Sequence, residues 1–188
     1  MNDRPPGRRS APRPGKVSLD CDLRAQSRRW QALGNLASLR SLINQALEAG
    51  LSVAPRKPLA GAELSLLLTD DRRIRIVNRD WRGFDKATNV LSFPAAPPER
   101  IAASPLLGDI VIAYETVERE AQAEGKDIAD HLRHLVIHGL LHLLGEDHET
   151  EAEAHRMEAL EVAALASLGI ADPYADAELV AAPAPSSL

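Results

Sequence analysis

The chain has 188 residues, of which 45% are hydrophobic and 26% charged, and its formal net charge is −5. That is enough apolar material for one soluble domain, with a core built from Leu, Val, Ile and Ala because only 3% of residues are aromatic. A single cysteine, Cys21, excludes an internal disulfide and suits packing, and no apolar run approaches the roughly 20 residues of a membrane span, so a cytoplasmic setting is expected.

Residues 1–16, MNDRPPGRRSAPRPGK, are basic and rich in Pro and Gly, and no apolar stretch follows that would make them a secretory signal. They are expected to form a disordered arm, with the folded domain over residues 17–170 and a flexible tail over 171–188. VSLDCDL (17–23) alternates apolar and polar residues, as a half-buried strand does. Residues 30–49 carry Leu33, Leu36, Leu39, Leu42, Ile43 and Leu47 at helical spacing, and Gly50 is the expected stop. ELSLLLT (63–69) is a strand, and Ile74, Val77 and Trp81 space a short amphipathic helix over 71–81. NVLSF (89–93) and DIVIA (109–113) are further strands, each followed by a breaker or a helical pattern. A helix over 114–124 closes at Gly125. Asp127 or Asp130 caps the next, which ends at Gly145, and a last helix covers 149–168. Strands and helices mix without a βαβ repeat, so the expected fold is α+β: a single small mixed sheet packed by helices.

All six histidines fall between His131 and His155. In HGLLHLLGEDH (138–148), His138 and His142 stand four apart, so a helix projects both rings from one face toward one metal ion. Gly145 lets the chain leave the helix in a left-handed conformation, and His148 can swing back as a third ligand. Three neutral nitrogens with an open fourth position describe a catalytic zinc site rather than a closed structural one. His134 also precedes His138 by four residues. At 1.5 Å rise per residue, however, it sits roughly 12 Å along the axis from His142, too far for bonds of about 2.1 Å to gather both with the helix end. His131, His134 and His155 are therefore expected to be surface, packing or supporting groups.

The spacing HxxxHxxGxxH is that of the metzincin proteases, in which a glutamate after the first histidine deprotonates water. Gly139 stands in that place, which disfavours a protease. It is expected to leave open space beside the metal for a phosphate. A bound metal can lower the pKa of water to about 7 without a glutamate, and a positioned arginine would neutralise charge developing on a phosphodiester.

The most basic folded stretch contains Arg72, Arg73 and Arg75 and continues through NRDWRGFDKATNVLSFP (78–94). Trp81 and Phe84 interleave with its charges and offer stacking surfaces for unpaired bases. Arg79, Trp81, Arg82 and Lys86 are the candidate RNA contacts. Arg82 opens the loop that feeds the NVLSF strand, where it can be aimed into a cleft.

HGLLHLLGEDH, RGFDKATNVLSFP and LGDIVIA together make the chain resemble the YbeY family of bacterial endoribonucleases, also called rRNA maturation factors, over residues 18–168. The resemblance implies an α+β metalloprotein with one Zn²⁺ on His138, His142 and His148. It implies action on single-stranded RNA in rRNA processing, notably at the 3′ end of small-subunit rRNA, and in ribosome quality control. Arg82 and His138 would be catalytic, and the partners would be rRNA, the ribosome or small-subunit proteins, with no membrane. Asn89, Ser92, Gly108 and Asp109 fall in the family's strand motifs. Two positions depart from its pattern. Trp81 replaces a usual Tyr or Phe, and Glu146 replaces the Tyr that usually precedes the D-H pair. With Asp147, Glu149, Glu151 and Glu153, Glu146 is expected to form an acidic rim that repels phosphate or accepts a proton. Two other readings compete: a non-catalytic, zinc-stabilised ribosome-assembly factor, and another metal hydrolase such as an unusual peptidase.

Overall fold

The computed structural model describes residues 18–175. The expected basic arm with Val17, and residues 176–188 of the expected tail, lie outside the described residues. In chain order the elements are β1 (Leu19–Ala25), a 3-10 turn (Arg28–Leu33), α1 (Leu36–Val53), β2 (Ala62–Thr69), α2 (Asp71–Arg82) and β3 (Val90–Pro94). A second 3-10 turn (Pro98–Ala103), β4 (Leu106–Ala113), α3 (Tyr114–Ala123), α4 (Ile128–Leu143) and α5 (Glu151–Ser167) follow.

The strands form one four-stranded sheet among the described residues, in the order β1-β2-β4-β3. β1, β2 and β4 run parallel, and β3 returns antiparallel to β4. The fold is therefore α+β with a mixed sheet packed by helices. Alternation along the strands divides the core. Leu64, Leu66, Leu68, Ile110 and Ile112 join α1, α4 and α5 in the main cluster, while Val111, Ala113 and Leu91 meet Ile74 of α2 on the other face. Cys21 packs half-buried against the main cluster, and burial pushes its thiol up to about 11, as suits a packing residue.

The expected helix over 30–49 is two elements. Gly34 takes φ +110°, and the Asn35 side chain accepts from Ser38 N at 3.0 Å, so a fresh N-cap restarts the chain after the turn. Trp30 belongs to the turn, where it is fully buried and donates from Nε1 to Thr69 O at 2.9 Å. Nor does α1 stop at Gly50. That glycine lies within the helix where α1 meets α4, and a Cβ there would come within 2.9 Å of Leu140 Cδ2. No helix among the described residues is long and apolar enough to cross a membrane.

Candidate metal centre

α4 is capped by Asp127, whose carboxylate accepts from Ala129 N and Asp130 N, which settles the choice of cap. Leu132, Val136, Leu140 and Leu143 are buried, and this amphipathic division turns His134, His138 and His142 toward the opposite edge. Gly145, at φ +81°, reverses the chain after the helix, and Glu146 N closes back onto Leu141 O at 3.0 Å. The reversal returns His148 to the helix end. Its ring centroid lies 4.9 Å from that of His142 and 5.6 Å from that of His138. One ligand nitrogen from each of the three rings falls within 4.8 Å of the others.

The hydrogen bonds on the far side of two rings fix their tautomers. His138 Nδ1 donates to Glu161 Oε1 at 2.7 Å, and His142 Nδ1 donates to Glu146 O at 3.1 Å. Both Nε2 atoms are then lone-pair donors, yet they face each other across 3.1 Å. Two acceptors so placed have no proton between them to share, and the separation is close to that of two nitrogens on one tetrahedral ion. Burial, with repulsion from the neighbouring rings of His138 and His148, holds His142 down at about 4, so it stays neutral. The donor set suits a divalent metal.

Glu161 was not singled out by sequence reasoning. It lies on α5, 1% exposed, and its two oxygens accept from His138 Nδ1 at 2.7 Å and His134 Nε2 at 2.6 Å. The Tyr174 hydroxyl also donates to it. Burial raises the Glu161 pKa, but the hydrogen bonds from both histidines outweigh burial and bring it to about 2. The signal for it was a lone glutamate in step with buried Met157, Ala164 and Leu165 on an otherwise apolar stripe. Of the surface, packing and supporting roles expected for His134, its hydrogen bond to Glu161 gives it the supporting one. Pro173 and Tyr174, counted with the tail by composition, lie against this part of the domain.

A cleft of about 520 Å³ joins Arg82, Asn89, Ser92, His138, His142 and His148. Arg82 is the last residue of α2, and Gly83 at φ +78° ends that helix. Its Nη2 donates to Ser92 O at 2.9 Å and its guanidinium lies 5.7 Å from the Phe93 ring centre, which pins it at the cleft and leaves other N–H groups available. Trp81 and Phe84 project outward, 76% and 60% exposed, and the Lys86 ammonium lies over Phe84. Arg79 does not share that freedom, because Asp80 pairs with it at 2.8 Å, as Asp85 pairs with Arg75.

Two sequence expectations are overturned. Gly139 opens no space for phosphate: it is buried where α4 crosses the sheet, and a Cβ there would meet Ser92 Oγ at 3.0 Å and Ile110 at 3.1 Å. Glu146 is not a rim charge. It is 3% exposed, and its carboxylate is held between Arg56 at 3.1 Å and Arg156 at 2.9 Å, so its charge is matched by paired arginines.

The family model described as Endoribonuclease YbeY matches residues 25–169. A protein of Rhodopseudomonas palustris (strain BisB18) named Endoribonuclease YbeY is 50% identical over 154 residues, covering 80% of this chain and 89% of its own. One of the same name from Agrobacterium fabrum is 48% identical over 168 residues, covering 86% of this chain and 98% of its own. A solution structure of a Thermotoga maritima protein is more distant, with 18% identity and a TM-score of 0.48 over 91% of this chain and 100% of that one. With a family model spanning most of the domain and relatives this similar along nearly their whole length, the chain belongs to the YbeY family.

Proposed function

We propose that the chain is a zinc-dependent, single-strand-specific endoribonuclease of the cytoplasm. Its work is rRNA processing at the 3′ end of small-subunit rRNA and ribosome quality control, alongside ribosomal proteins. The observation that carries this reading is the pair of opposed imidazole lone pairs, 3.1 Å apart, in one cleft with His148 and Arg82. His138, His142 and His148 would hold the metal through neutral nitrogens, a set that suits zinc with a position left open. The metal, when bound, supplies Lewis acidity and makes hydroxide accessible near neutral pH.

The remaining work falls to the chain's own residues. Arg82, fixed by the Ser92 carbonyl, offers its unused N–H donors to the phosphate and neutralises charge developing on the oxygens. His138 is catalytic through the metal it holds, with its orientation set by Glu161. Exposed Trp81 and Phe84 supply ring faces for unpaired bases, which supports a preference for single strands, and Lys86 adds a phosphate contact. Arg79 contributes less, because Asp80 already neutralises it.

Cleavage of single-stranded RNA by the purified protein tests the assignment. Arg82→Ala should lower the rate by about 10²-fold with metal content intact, and His138→Ala should lose both metal and cleavage. Equal cleavage by wild type and both variants would reveal a contaminating nuclease and reject the assignment. Unimpaired ribosome association and growth after folded ligand substitutions would favour the assembly-factor reading instead.

A further inference from the structure

Behind the three ligand rings lies a layer of which the RNA-cleaving reading uses only the contact of Glu161 with His138. Glu161 Oε1 accepts from His138 Nδ1, and Glu161 Oε2 accepts from both His134 Nε2 and the Tyr174 hydroxyl. Three donors converge on one carboxylate that is 1% exposed, so moving it away would leave buried donors without a partner. Tyr174 is locked in turn. Its ring meets His134 edge to face with centroids 5.7 Å apart, its own N–H is held by Asp172 Oδ1 at 2.8 Å, and the hydroxyl lies 3.3 Å from His134 Nε2. Lys126 Nζ anchors the same segment by donating to Pro173 O at 3.2 Å, and Ile170 packs against the main core.

Tyr174 lies beyond residue 169, where the family match ends. The inner shell of the metal centre therefore comes from the matched domain, whereas one of its supports comes from the chain that follows.

We infer that Glu161 and Tyr174 are positioning residues for the metal ligand His138, so that docking of the segment after α5 sets how tightly the three-histidine site binds its metal. The physical basis is the tautomer. Only with Nδ1 bearing its proton toward Glu161 does His138 present a lone pair at Nε2, and a carboxylate there also makes the imidazole a stronger donor. Tyr174 and His134 hold that carboxylate at the correct angle. With the Tyr174 hydroxyl gone, Glu161 loses one of the three donors that hold it, and the preorganisation of His138 falls.

This inference rests on the metal-site reading above, and its test separates the two. Full-length metal-free protein is titrated with Zn²⁺ against a chromophoric chelator, and the melting temperature of the metal-free form is recorded beside it. Glu161→Gln should weaken binding by about 10–100-fold, as losing a ligand's supporting partner does. Tyr174→Phe, which keeps the ring and removes only the hydroxyl, should weaken it by about 3–10-fold. Lys126→Met should shift affinity in the same direction, and His155→Ala, an exposed histidine on the same α5, should not. If Tyr174→Phe binds Zn²⁺ as tightly as wild type, the inference is overturned, whether or not the metal-free form melts earlier. If wild type itself fails to bind, the metal reading fails first.

Discussion

At position 139 one missing side chain carries two opposite meanings. Beside a metal-binding histidine, glycine reads as vacant space, but here it is the point at which α4 touches Ser92 and Ile110 of the sheet. Gly139→Glu, which restores the residue of the protease pattern, should cost about 1–3 kcal/mol or more in urea denaturation and yield no casein hydrolysis. Peptidase activity in that variant would contradict the packing account. Glu146 shows the same dependence on surroundings. Its charge is buried between two arginines whose side chains are about half exposed, so Glu146→Gln should lower stability by only about 1 kcal/mol and should not speed RNA cleavage. A marked gain in cleavage would restore the charged-rim interpretation. Neither outcome was legible in the sequence, because both depend on what the side chain faces rather than on its neighbours in the chain.

At the scale of elements, local signals were sufficient where the pattern is local. The four-residue spacing on α4 and the αL glycine at 145 follow from helix geometry alone, whereas the choice between Asp127 and Asp130 as cap was made only by the folded chain. The helix expected over 30–49 starts too early, because the leucine periodicity runs through Gly34 and Asn35, whose turn and cap interrupt it, and stops too early, because α1 continues through Gly50 to Val53. Between elements, Glu120 of α3 ties the others together by accepting from Asn89 Nδ2 just before β3 (3.0 Å) and from His131 Nε2 of α4 (2.9 Å). Burial raises the Glu120 pKa, yet these two hydrogen bonds outweigh it and hold the carboxyl below its ordinary value of 4.5. A depressed carboxyl stabilises the fold above that value, and the contribution is lost as pH falls through the folded pKa. Glu120→Gln should therefore be less stable than wild type at pH 7, with the gap closing as the pH falls below 4.5. Parallel urea curves at both ends of the range measure it, and a gap independent of pH would show that the hydrogen bonds to the carboxylate contribute nothing through its ionisation.

For the molecule as a whole, the metal is expected to stabilise a fold that already stands without it. The main core runs from β1 to α5 and uses none of the three ligand histidines. Chelation should lower Tm by several degrees and leave one cooperative transition, since a metal at about 100 times its Kd adds about 2.7 kcal/mol. A chelated protein with no cooperative transition would make the site structural instead of catalytic. The sequence by itself determined the α+β class, the three metal-facing histidines and the arginine at the end of α2, since helical spacing, caps and glycine turns act within a few residues. Tertiary structure alone decided the strand order, the burial of Gly139 and Glu146, and the supports of His138. Glu161 stands 23 residues from His138 in the chain and Arg56 stands 90 from Glu146. Contacts at that separation exist only once α1 and α5 have packed against α4, and no periodicity within a single element encodes them.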